Sequence, residues 1–132
     1  MGLTSIDKDT AGSGTGVPPW NEPLDPLTVA LHQNDYALPP NGAGWRFHVT
    51  SDINITGLTA APNGTILLMF NAGPTKKKIS LRHNDAASLI ANRFFLWDEV
   101  NLDLKLYESK FIRYDSLLNA GNGGWHCIGS QH

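Results

Sequence analysis

The chain has 132 residues, a formal net charge of −2 from ten basic and twelve acidic side chains, and only 17% charged residues beside thirteen Gly and eight Pro. That length fits one domain with a substantial core, the near-balanced charge argues against a nucleic-acid binder that works by neutralising phosphates, and the turn-rich composition suits an all-β protein. The single cysteine, Cys127, excludes an intrachain disulfide and a cysteine metal cluster, which leaves packing or partner chains as the source of stability.

Residues 1–28 hold four of the eight prolines and a Gly-Ser-Gly-Thr-Gly run, a composition that cannot propagate a helix and offers little to a core. They are expected to form an extended arm, with the domain spanning 29–132. Pro18-Pro19-Trp20 is a stiff segment ending in a large aromatic. It reads either as an anchor for a groove on another chain or as a leader whose Trp20 folds back on its own domain. No basic start precedes an apolar run, and no segment approaches the roughly 18 apolar residues of a membrane span. The expectation is a soluble protein made in a cytoplasm, without membrane insertion.

From Val29 onward short strands alternate with turns. Trp45, Phe47 and Val49 share one face of a half-buried strand, and Ile53 and Ile55 point inward from the next. Asn63-Gly64 supplies a turn dipeptide that tolerates positive φ. The strand after it is apolar on both faces, Ile66, Leu68 and Phe70 on one and Leu67 and Met69 on the other, which predicts cover on both sides. Asn71-Ala72-Gly73-Pro74 then reads as the turn of a β-hairpin. The return strand over 76–82 turns Ile79 and Leu81 inward and Lys76, Lys78, Ser80 and Arg82 outward. Asn84-Asp85 caps at most one helical turn over 86–91. Strands are expected at 92–97, at Leu102, Leu104 and Leu106, at 110–115 with Ile112 and Tyr114 inward, and at 125–128. Eight or nine short strands at regular spacing predict an antiparallel β-sandwich, jelly-roll-like, although a barrel also fits.

Asn34-Asp35-Tyr36, Ile53-Asn54-Ile55-Thr56-Gly57-Leu58, Asn71-Ala72-Gly73, Ile79-Ser80-Leu81-Arg82-His83, Ala86-Ala87-Ser88, Ala91-Asn92-Arg93-Phe94, Tyr114-Asp115-Ser116 and Trp125 resemble, in order and spacing, a β-sandwich domain of bacteriophage virion proteins over roughly residues 30–129. Such domains occur in tail fibres, receptor-binding modules, head fibres and capsid decoration proteins, typically as trimers. The resemblance implies a non-enzymatic protein without cofactors, located on the virion. Its implied partners are copies of itself and the major capsid protein, with host surface glycan as a further candidate. A short arm and a single domain favour capsid decoration over a tail-fibre receptor-binding module. Val17, Pro18, Pro19, Trp20 and Leu24 are then the capsid-attachment residues, and the second apolar face at Leu67 and Met69 is the candidate protomer interface. Lys76-Lys77-Lys78 and Trp97-Asp98-Glu99 depart from the family pattern and are the candidate contacts for a glycan or a partner.

No catalytic set emerges. His126 and Cys127 are strand neighbours that point to opposite faces. His83 and Asp85 have no nucleophile beside them in sequence, and the five histidines lack zinc spacing. Asp98, Glu99, Asp103, Glu108 and Asp115 do not form a regular calcium loop. The lysine run reads either as a solvated edge that discourages strand pairing or as a contact for an acidic capsid surface or an anionic glycan.

Overall fold

The computed structural model describes residues 24–39 and 43–129. Eight strands form two mixed sheets. They are β1 (Asp25–Val29), β2 (Gly44–Val49), β3 (Ile53–Ile55), β4 (Ile66–Pro74), β5 (Ile79–Leu81), β6 (Leu102–Leu104), β7 (Ser109–Asp115) and β8 (Gly124–Cys127). The larger sheet has the order β1-β2-β4-β7-β8 and the smaller β3-β5-β6. Among the described residues no helix is long and apolar enough to cross a membrane.

The pairing registers explain why two sheets arise from one chain path. β1 pairs in parallel with β2, and β2 with β4. Past the bends, β3 pairs in parallel with β5, while Gln33 and Tyr36 bridge in parallel to Ile55 and Leu58. Residues 25–36, 44–58 and 66–81 are therefore three successive bent rungs laid side by side; the second and third give a strand to each sheet, and the first gives β1 to the larger sheet and isolated bridges beside the smaller. A fourth rung, β6 followed by β7, runs the opposite way along the third, and β8 closes the larger sheet beside β7.

Alternation supplies the core. Trp45, Phe47, Val49, Ile53, Ile55, Leu67, Met69, Ile79, Leu81, Leu104, Ile112 and Trp125 join one buried cluster that draws on both sheets. Trp45 stacks on Phe47 with ring centroids 5.7 Å apart, and Tyr114 meets Trp125 edge-on at 5.1 Å. At the far end of the rungs a polar clip accompanies the apolar packing of Leu58 and Phe94. Ser88 Oγ lies 2.7 Å from Thr56 Oγ1 and accepts the Asp35 N–H. Asp35 Oδ1 accepts from the Leu89 N–H and the Asn92 amide, both at 2.8 Å, and Asn92 Oδ1 accepts the Ala60 N–H. Thr56, Ser88 and Asn92 are all buried, so each donor and acceptor needs such a partner.

The inward residues of β2, β3, β5, β6 and β7 lie where alternation puts them, and the all-β reading holds. The antiparallel expectation is corrected, because β1–β2, β2–β4 and β3–β5 are parallel. The expected hairpin is also absent. β4 continues through Asn71, Ala72 and Gly73 to Pro74, and β5 lies in the other sheet, paired with β3 and β6 instead. Ser80, expected to face outward, is buried. β1 takes in Asp25–Thr28, which composition assigned to the arm.

Gly57 lies under the polar clip, where an added Cβ would sit 2.6 Å from Ser88 Oγ and run into the Asn92 carbonyl. Gly57→Ala is expected to lower stability by about 1–3 kcal/mol through overpacking. Urea unfolding of the variant measures this, and an unchanged midpoint would contradict the clip.

Candidate interaction surfaces

The lysine run lies on the segment joining β4 to β5, at the bend from the larger sheet into the smaller. Asn71 holds that bend. Fully buried, its amide Nδ2 donates to the carbonyls of Lys77 at 2.8 Å and Leu104 at 3.0 Å, and its Oδ1 accepts the Gly73 N–H. Its backbone N–H donates to Glu108 O and its carbonyl accepts from the Tyr107 N–H. One residue thus ties the 75–78 segment to the turn after β6.

Between those two segments lies a cleft of about 450 Å³ lined by Asp52, Lys76, Lys77, Lys78, Lys105 and Leu106. Lys78 is neutralised by Asp103 at 3.1 Å. Among the described residues Lys76, Lys77 and Lys105 make no ion pair. Asp52 Oδ1 accepts the backbone N–H of Lys78 at 3.0 Å. The lining therefore holds three lysines without ion pairs, one carboxylate and one leucine. Trp97, 60% exposed, is outside this lining. It starts a 3-10 turn in which Asp98 and Glu99 both adopt φ of 57°.

A second surface is the outward face of the larger sheet. Leu67 and Met69 are buried in the chain's own core at 7% and 0% exposure, so they have no side-chain surface to give another protomer. The outward residues of β4 are Ile66, Leu68 and Phe70. Leu68 stands opposite Phe111 of β7, and Ile128 follows beside them through its N–H to Phe111 O. Ile66 and Phe111 are each about half exposed, which leaves an apolar stripe running over β4 and β7. Leu67 and Met69, the expected protomer interface, thus face the core, and the apolar residues that β4 leaves outward are Ile66, Leu68 and Phe70. Of the proposed attachment residues, Leu24 is half-buried at the start of β1, whereas Val17, Pro18, Pro19 and Trp20 lie outside the described residues.

The other candidates are occupied structurally. His83 Nδ1 accepts the N–H of Leu96, 13 residues on, and Asp85 Oδ1 accepts the Ala87 N–H within its own turn. Glu108 Oε1 accepts the Lys105 N–H, and Asp115 Oδ1 the Leu117 N–H. Among the described residues no three His, Cys, Asp or Glu side chains are grouped to hold a metal. Burial pushes the Cys127 thiol up, against a smaller opposing pull from Lys110, and burial likewise raises the Tyr114 phenol, whose OH donates to Ala91 O. Asp52, Lys105, Leu106 and Phe111 were not singled out from sequence. The signal for the first three was the β3-β5-β6 adjacency, which brings the flanks of three separated strands together.

No family profile matches the chain, and no curated protein or solved structure is similar to it.

Asn71→Leu removes the partners of the Lys77 and Leu104 carbonyls and of the Gly73 N–H, and is expected to cost about 2–4 kcal/mol in urea unfolding. The raised Cys127 and Tyr114 values set a pH dependence. A group that holds its proton more tightly when folded contributes stability that is complete below its unfolded value and is lost as pH rises through its folded one. Stability should therefore hold at neutral pH and decline above the ordinary values of 9.0 and 10.0. The Cys127→Ser, Tyr114→Phe double variant should show a shallower decline by chemical denaturation, and an identical slope would contradict the assignment.

Proposed function

We propose that this chain is a non-enzymatic structural protein of a bacteriophage virion. In this reading it is a capsid decoration protein that trimerises, with its two sheets packed as a β-sandwich, and binds the capsid exterior through its N-terminal arm. The observation that carries the reading is the outward apolar stripe of Ile66, Leu68, Phe70 and Phe111. Contiguous exposed apolar area of this kind marks protein contacts on soluble domains. Covering what remains exposed of each side chain is worth roughly 1 kcal/mol. Repeated on three protomers, that area supports a closed assembly. The motifs that resemble virion domains support the same reading, and four of their residues, Asp35, Thr56, Ser88 and Asn92, bond to one another within the fold. β1, which follows the arm directly, is the edge strand of the larger sheet, so an arm bound to a capsid would hold the domain close to it.

The alternative, a tail-fibre-type module that recognises host surface glycan, draws on the lysine-lined cleft rather than on the apolar stripe.

Light scattering of the full-length protein is expected to give a three-chain particle. Ile66→Lys with Phe111→Lys should give a monomer with unchanged circular dichroism, because both positions are half exposed. A monomeric parent protein would contradict the assembly, and a trimeric double variant would remove the stripe from it.

A further inference from the structure

We infer that the cleft between the β4–β5 connection and the turn after β6 is a binding site for an acidic saccharide of one or two sugar units. The site deepens the receptor-binding alternative and does not rest on the trimeric assembly.

The volume of about 450 Å³ falls in the range of small-molecule sites, roughly 300–1,000 Å³. Lys76, Lys77 and Lys105 line it and make no ion pair among the described residues, with Asp52 as the one carboxylate in the same lining. The backbone segments that carry Lys77 and Lys105 are tied together by Asn71, which bonds the carbonyls of Lys77 and of Leu104, the neighbour of Lys105. Holding like charges together is unfavourable in the empty cleft and is relieved by an anion. Lysine ammonium groups act as compact point charges with rotatable donors, so a carboxylate on a ring can be met without the planar fork an arginine would impose.

Asp52 decides among anions. Its Oδ1 accepts the Lys78 N–H, and among the described residues its second oxygen has no partner. A carboxylate in the lining opposes sulfate and acidic peptide side chains, which bring only acceptors, and repels phosphate, whose charge near neutral pH is spread over the same few atoms as its one or two O–H donors. It suits a ligand that carries hydroxyl donors beside its negative charge. Leu106 adds an apolar contact for the C–H face of a sugar ring. An acidic saccharide satisfies all three features together.

Isothermal titration of the full-length protein with digalacturonate, neutral galactobiose, inorganic phosphate and hexaglutamate tests this. Digalacturonate is expected to bind at least about tenfold more tightly than galactobiose, and to weaken about tenfold or more in about 0.5 M salt. Lys77→Gln and Lys105→Gln, both at exposed positions, should each weaken it about fivefold. Asp52→Asn keeps an acceptor for the Lys78 N–H. It should weaken digalacturonate while strengthening any phosphate binding, whereas a plain anion site would strengthen for both. Equal or tighter binding of phosphate or hexaglutamate, stronger digalacturonate binding in Asp52→Asn, or no digalacturonate binding up to about 10 mM would overturn the proposal. Light scattering of the same samples reports the assembly separately, so failure here leaves the trimer reading to its own test.

Discussion

The second and third rungs of this protein leave the larger sheet and enter the smaller, and at the third a single buried amide holds that turn. Asn71 bonds to Lys77, Leu104 and Gly73 through its side chain and to Glu108 and Tyr107 through its backbone. A bend exposes backbone groups that a straight strand would pair, and burying them unpaired costs more than any one hydrogen bond returns. The Asn71 amide supplies two donors and an acceptor at one point, which lets β4 and β5 occupy different sheets while sharing one core. The lysine cleft follows from the same constraint, since its two walls are the segments Asn71 joins.

The polar clip does the corresponding work at the other end of the rungs. Asp35, Thr56, Ser88 and Asn92 come from three separated segments, and they satisfy one another beside the buried Leu58 and Phe94. These residues also belong to the motifs on which the proposed virion reading draws. Their pattern is thus accounted for by backbone satisfaction, and function must be sought on surfaces the clip leaves free. Two such surfaces differ in chemistry. The stripe of Ile66, Leu68, Phe70 and Phe111 offers apolar area, as a protein partner would require, and the cleft offers lysine charge in a concave space.

Much of the core was legible in sequence because alternation reports which side chains turn inward. Trp45, Phe47, Ile53, Ile55, Ile79, Leu81, Leu104, Ile112 and Tyr114 are all buried as that rule requires. Alternation says nothing about the neighbouring strand, so parallel pairing over registers of about 20 residues and more stayed hidden. Asn71-Ala72-Gly73-Pro74 has turn composition, yet its residues continue β4 into the bend. Leu67 and Met69 could not be told from Ile66, Leu68 and Phe70 by apolarity alone, because a strand carrying both sets offers two equivalent faces. The lysines were visible as a run, but the cleft was not, since Asp52 and Lys105 reach it only through the β3-β5-β6 order.

The central functional claim is that protomers meet across the outward face of the larger sheet. Hydroxyl-radical footprinting of the full-length protein across a concentration series measures that face directly. Phe111 should become protected as concentration rises, while Trp97 and Leu117, exposed elsewhere on the chain, stay reactive. Phe111 reacting alongside Leu117 at every concentration would contradict the account.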